Sequence, residues 1–293
     1  GLGMAINCFT EPGDKIMIMP PVYHPFAWLV TRNNRRLVEC PLKEVDGHYR
    51  MDLDLIRRSI KGIRVLILCN PHNPGGVVWT EAELRAIADI CYDEKVLVFS
   101  DEIHADLTLP PHTHRPFATV SEKARMNSVT FMSPSKAFNM PGLSASHALI
   151  FNEDLRKRFR IYMDAGELDM GHVFAFLSVE AAYSHGTEWL DQCLAYIQGN
   201  IDFVDDFLKN HAPKIKAIRP EASYLVWLDC RELKLSQKDL NEFFVDKAHL
   251  ALNDGEMFGK EGIGFMRLNV ASPRCIIEKA MKQLADAYQL YIK

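Results

Sequence analysis

The 293-residue sequence predicts an α/β protein: a mainly parallel sheet sandwiched by helices, followed by a smaller α+β C-terminal domain. Three observations carry that expectation. Short apolar runs without polar alternation recur through the first half, as strands buried on both faces do. Helical patterns separate them, which is how parallel neighbours are connected. After Asn152 the pattern changes to long helices and then to a mixed tail.

Taken in order, residues 1–10 read as the end of an amphipathic helix that enters a turn at Glu11-Pro12-Gly13-Asp14. That start has neither an initiator Met nor a cap, so the natural protein is expected to begin further upstream. Strands are expected at 15–19, 37–40, 64–69, 96–100, 128–132 and 147–151. Thr80-Glu81-Ala82-Glu83 is a capping box, and the helix it opens carries Leu84, Ile87, Ala88 and Cys91 on one face. Long helices are expected at 153–165, 172–184 and 188–209. A strand at 223–229, a helix at 237–248, a strand at 264–269 and a final helix from Pro273 complete the chain. The large domain is expected to span 1–190 and the small one 191–293.

Composition narrows the function classes. Apolar residues make up 48% of the chain and charged residues 25%, which suits a packed core and excludes a disordered chain. A formal net charge of -4 gives no wholesale attraction to nucleic acid or anionic membranes. The longest apolar runs, such as 65–69, are far too short to cross a bilayer. Seven scattered cysteines, none in a CxxC pair, argue for a reducing cytoplasm and against a disulfide framework or a zinc site.

Three expected strand ends collect polar residues that a bland α/β domain does not need. The first is Asn70-Pro71-His72-Asn73-Pro74-Gly75-Gly76, where Asn73 is held in a rigid turn or serves as a local cap. The second is Ser100-Asp101-Glu102-Ile103-His104-Ala105-Asp106. A carboxylate closing an apolar strand is costly to bury without a cation, and a protonated pyridine nitrogen is such a cation. A helix N-cap is the plainer role for Asp101. Metal binding by Asp101, Glu102, His104 and Asp106 competes, although side chains at a strand end alternate in direction. The third is Ser133-Pro134-Ser135-Lys136, in which two hydroxyls suit a phosphate and a desolvated lysine suits attack on an aldehyde. Standing alone, Lys136 would read as a surface lysine. Together the three segments supply what pyridoxal 5′-phosphate requires: an amine, a carboxylate for the ring nitrogen and phosphate donors.

The matching pieces, NPHNPGG, SDEIHADL, SPSKAF and GFMRLNVASPR, resemble the fold-type I aminotransferase superfamily across the whole chain. Within it the sequence is similar to the MalY/PatB-type carbon–sulfur lyases, through PPVYHPF, CNPHNPGG, PSKAFNMPGL and the stretches 186–191 and 222–229. His104 stands where aminotransferases commonly carry tyrosine, three residues after the pyridine-binding aspartate.

The resemblance implies that Lys136 forms the Schiff base and then moves protons, and that Asp101 keeps the pyridine nitrogen protonated. It implies that Asn73 bonds the ring's 3′ oxygen near His104, that Tyr23 stacks on the ring, and that Ser133 and Ser135 help hold the phosphate. Arg267 would bind the carboxylate of a small amino-acid substrate, a bidentate task for a planar guanidinium; Arg274 is a weaker candidate for it. A homodimer is also implied. One departure stands out: Ser144 occupies the place, eight residues after the lysine, where aminotransferases carry a phosphate-neutralising arginine. The expected activity is β-elimination on cystathionine- or cysteine-type amino acids, giving thiol, pyruvate and ammonia. Transamination and a regulatory role on the same fold are the alternatives. His112 and His114 are expected on a loop, Phe174, Phe176, Phe243 and Phe244 in the core, and Asn33-Asn34-Arg35-Arg36 in a solvated turn.

Overall fold

The computed structural model describes residues 1–45 and 47–291. Helix α1 (Leu2–Phe9) leads into β1 (Lys15–Ile18), α2 (Pro25–Arg32) and β2 (Arg36–Glu39). A hairpin, β3 (Lys43–Val45) with β4 (His48–Arg50), precedes α3 (Leu53–Ser59). Then come β5 (Ile63–Cys69), α4 (Glu81–Asp93), β6 (Leu97–Asp101), α5 (Glu122–Met126), β7 (Ser128–Met132) and β8 (His147–Leu149). Apart from the hairpin these strands form one sheet in the order β2-β1-β5-β6-β7-β8, parallel except for the edge strand β8.

The missing alternation in β5 has a direct structural reading. Val65 and Ile67 pack with α1, α2 and α6 (Glu153–Ala165) on one face, through Ile6, Phe9, Phe26, Val30 and Phe159. Leu66 and Leu68 pack on the other face with Ile56 of α3 and Leu84, Ile87 and Cys91 of α4. All four β5 side chains are fully buried, each worth about 1.5–3 kcal/mol against exposure. The α4 capping box forms as expected, Thr80 and Glu83 bonding each other's backbone N–H.

The second half runs through α6, α7 (Val173–His185) and the 25-residue α8 (Thr187–His211). It continues with β9 (Lys216–Ile218), β10 (Leu225–Asp229), α9 (Gln237–Glu242), β11 (Asn253–Asp254), β12 (Phe265–Asn269) and α10 (Arg274–Tyr291). Its four strands make an antiparallel sheet in the order β11-β12-β10-β9. Here period-2 alternation returns. Val226, Leu228, Met266 and Leu268 face α8 and α10. Trp227 and Phe265 face the large sheet's core, their rings stacked at 5.1 Å, and the Trp227 indole N–H donates to the Tyr49 hydroxyl at 3.0 Å. We propose that the boundary between the two units falls near residue 190, at the start of α8.

The structure corrects four expectations. Phe174 and Phe176 are 63% and 61% exposed, because α7 is apolar all round and no described element covers that side. Phe243 and Phe244 are buried, but the expected helix at 237–248 changes at Phe243 into a π turn that admits both rings to the core. Arg35 is buried, bonding the Thr10 hydroxyl and carbonyl and Asn7. The strand expected from residue 223 begins at Leu225, since Ser223 has a left-handed backbone (φ 79°).

Trp227→Ala should lower stability to unfolding by about 3–5 kcal/mol, measured by denaturant titration. A loss below about 1 kcal/mol would show that the two sheets do not share a core there.

Candidate active site

Three neighbouring strands end at one edge of the large sheet. Cys69 of β5 is in register with Asp101 of β6, and Asp101 with Phe131 of β7. The chain therefore leaves all three strands at one level, and the segments carrying Asn73, His104 and Lys136 converge beyond the carboxyl ends. A cavity of about 200 Å³ opens there. Of the expected residues, Tyr23, Asn73, Asp101, His104, Lys136 and Arg267 line it, joined by Cys69, Ile103, Tyr224, Leu225 and Asn269.

Ser133 and Ser135 do not line it. The Ser133 hydroxyl donates to the Ala145 carbonyl and accepts the Ser135 N–H at 3.1 Å, so it is engaged within its own loop. The first turn is anchored from below: the Trp79 indole N–H donates to the Cys69 carbonyl at 2.8 Å, and the Asn70 amide donates to the Arg115 carbonyl at 3.1 Å.

Burial is the main influence on Asp101 and pushes its pKa up to about 6, opposed by the Ile103 N–H that its Oδ1 accepts at 3.2 Å. Among the described residues no side-chain cation stands within ion-pair distance of it. The next residue points the other way. Glu102 is 1% exposed and accepts the Ser100 hydroxyl at 2.8 Å and the Phe117 N–H at 2.9 Å, and it pairs with Nε2 of His114 at 2.8 Å. His114 lies on a loop, as expected, and from there partners a buried carboxylate. Asp106 accepts the Tyr183 hydroxyl at 3.2 Å. The four residues that competed as metal ligands are dispersed in this way, and no metal-binding cluster occurs among the described residues.

Burial, helped by the positive charges of Lys136 and Arg267, pushes His104 down to about 3, so its ring is neutral at physiological pH. Its buried Nδ1 has no partner. Arg267 reaches the cavity because β12 alternates: Phe265, Arg267 and Asn269 share the face opposite Met266 and Leu268. Its Nη1 donates to Asn73 Oδ1 at 2.9 Å and its Nη2 to Asn253 Oδ1 at 2.7 Å, while the guanidinium lies 4.7 Å over the Phe258 ring. The buried Nε is left without a partner. Arg274 starts α10 and donates to Asn200. Sequence reasoning passed over Tyr224, Asn269 and Asn253. Asn269, two residues beyond Arg267, was within reach of the alternation rule; no spacing marks the other two.

Residues 1–284 match the family model for class I and II aminotransferases. The chain belongs to that family. It is 38% identical over 288 residues to cystathionine beta-lyase PatB of Bacillus subtilis, covering 98% of this chain and 74% of that protein. Cystalysin from Treponema denticola, solved with pyridoxal 5′-phosphate, superposes with a TM-score of 0.95 at 36% identity over 100% of this chain and 74% of its own. The pyridoxal-phosphate-bound C–S lyase of Staphylococcus hominis gives 0.90 at 32%, over 98% and 75%. Aspartate aminotransferases of Pyrococcus horikoshii and Musicola paradisiaca are more distant family members, at 22% and 26% identity.

The residues present fit that cofactor. Asp101 is a desolvated carboxyl group without a protein cation, Lys136 offers an amine in the same cavity, and His104 Nδ1 is an orphaned buried nitrogen beside them.

The fit has a cost in the cofactor-free protein. A carboxyl pKa raised from 3.8 to about 6 contributes stability that is full at low pH and lost as pH rises through about 6. His104 acts in the opposite sense: its lowered pKa removes stability as pH falls below 6.5. The Asp101 effect therefore shows in the difference between variants. Between pH 4 and pH 7.5 the stability of cofactor-free Asp101→Asn should move relative to wild type by about 2–3 kcal/mol in the variant's favour. Denaturant unfolding at several pH values measures it; a pH-independent difference would contradict the desolvated carboxyl group.

Proposed function

We propose that this protein is a pyridoxal-phosphate-dependent carbon–sulfur β-lyase acting on cystathionine- or cysteine-type amino acids and releasing thiol, pyruvate and ammonia. The observation that carries the reading is the convergence of Lys136, Asp101, Asn73 and Arg267 in one cavity. The choice of lyase over transaminase is supported by the C–S lyases being the nearer relatives, at 32–38% identity against 22–26% for the aspartate aminotransferases.

When bound, pyridoxal phosphate supplies an aldehyde that captures amines and a pyridinium ring that takes up electron density from the α-carbon. Asp101 would hold a proton at the ring nitrogen, and the bound cofactor would bring the ion partner that this carboxylate lacks. Lys136 would hold the aldehyde end of the cofactor, and its Nζ is the base in the cavity that would take the substrate's α-proton. Arg267, oriented by Asn73 and Asn253, binds the α-carboxylate and fixes which substrate bond faces Lys136. With its Oδ1 held by Arg267, Asn73 would have its Nδ2 free to donate to the cofactor. Tyr23, set edge-on against Phe26 at 5.5 Å, presents its ring as a wall of the cavity. The neutral His104 adds no charge that would compete with the pyridinium for Asp101. The phosphate end would fall to the loop of residues 133–136, through groups other than the Ser133 hydroxyl, which is engaged with Ala145.

The proposal extends to a homodimer in a reducing cytoplasm. Val173, Phe174, Phe176 and Leu177 of α7 are 55–63% exposed, an apolar face that suits a second copy, and all seven cysteines are free. No helix among the described residues is long and apolar enough to cross a membrane.

Pyruvate release from L-cystathionine, assayed with added pyridoxal phosphate, tests the activity. Wild-type protein should release pyruvate and Lys136→Ala should lose at least about 10³-fold in rate. Absence of pyruvate, with amino transfer to a 2-oxo acid instead, would replace lyase by transaminase.

A further inference from the structure

Among the described residues, eight other than glycine have a positive φ. Seven lie on the surface; Ser223, at φ 79°, is 3% exposed. For a residue with a Cβ this backbone is costly and persists where the surroundings dictate it, most often beside a functional site. The surroundings do so here. The Ser223 N–H donates to the Leu107 carbonyl at 2.8 Å, in the turn after His104. Glu221 and Ala222 donate their N–H groups to the Gly76 carbonyl at 2.9 and 3.0 Å, in the turn after Asn73. Gly76 itself, at φ 67°, is pressed so close that a Cβ there would stand 2.4 Å from Pro220 Cβ. The strained residue is wedged between two loops of the candidate active site. Its own hydroxyl is buried with no hydrogen-bond partner, so no bond made by the side chain accounts for the conformation.

Tyr224 is the next residue along the chain. Its ring enters the cavity 6.2 Å from His104, edge to face, alongside Arg267 and Tyr23. Burial raises its hydroxyl pKa, so it stays a proton donor at physiological pH. Arg267 needs such a neighbour. Two of its N–H groups are already held by Asn73 and Asn253, whereas a carboxylate has about four lone-pair sites to satisfy.

We propose that Tyr224 is a substrate-binding residue, donating its hydroxyl to the α-carboxylate held on Arg267, and that Ser223 is the positioning residue that aims it. The proposal rests on the function proposed above only in taking an α-amino acid as the ligand.

The test uses the holoenzyme and two small amines that differ in the carboxylate, monitored by cofactor absorbance. α-Aminoisobutyrate carries a carboxylate and no α-hydrogen; isopropylamine carries no carboxylate. Tyr224→Phe should weaken α-aminoisobutyrate by about 10- to 100-fold, the range of a hydrogen bond to a charged group, and leave isopropylamine unchanged. Ser223→Val, which adds a β-branch where φ is positive, should reproduce that selective loss, and Ser223→Gly should bind as wild type does. Equal affinity of Tyr224→Phe and wild type for α-aminoisobutyrate would overturn the proposal. A parallel loss of isopropylamine would overturn it too, by assigning Tyr224 to the cofactor. A wild-type holoenzyme that responds to neither amine would overturn the proposed function itself.

Discussion

The carboxyl group of Asp101 ends an apolar strand in a cavity that largely desolvates it and, among the described residues, places no side-chain cation within ion-pair distance. Elsewhere in a fold such a group would be replaced or paired, because an unpaired buried charge costs several kcal/mol. Here the strand end is built to keep it in place. Glu102, the next residue, turns to the opposite side, where Ser100, Phe117 and His114 hold it away from the cavity. The Glu102 N–H donates to the Phe131 carbonyl at 2.8 Å, which ties the end of β6 to β7 just before the loop that carries Lys136. The unpaired carboxyl group is therefore held where a cationic ring can complete it.

The second unit supplies what the parallel sheet lacks. A cavity beyond parallel strand ends has a floor, and on the proposed function Lys136 would be committed to chemistry, so the substrate cation has to come from elsewhere. The antiparallel sheet brings Arg267 across from the opposite side, because one face of β10 and β12 shares the large sheet's core while the other packs on α8 and α10. The Arg267–Asn73 bond at 2.9 Å then links the two units inside the cavity itself. Packing and recognition are carried by the same alternation. Trp227 and Phe265 hold the sheets together, and Arg267, two residues after Phe265, points where those rings point.

Much of this was legible in the residues alone. Asn73, Asp101 and Lys136 each come after an apolar run whose end is visible, and position after a strand end is what brings them together. Residues whose placement depends on distant partners were not legible. Ser133 looks like a phosphate ligand, yet its hydroxyl is taken by Ala145, twelve residues on. Arg35 looks solvated, yet Asn7 and Thr10 bury it. Phe174 and Phe176 look like core because apolar periodicity says nothing about whether anything lies opposite. Tyr224 depends on a left-handed backbone at a serine, where residue type gives no warning.

A carbon-13 titration of the Asp101 carboxyl group, in the cofactor-free protein and with pyridoxal phosphate bound, tests the central claim most directly. The midpoint should lie near 6 without the cofactor. With it, the midpoint should fall well below the ordinary value of about 3.9 as the ring nitrogen becomes the ion partner of Asp101. An ordinary midpoint in both states would mean that Asp101 is neither desolvated nor the group that holds the ring.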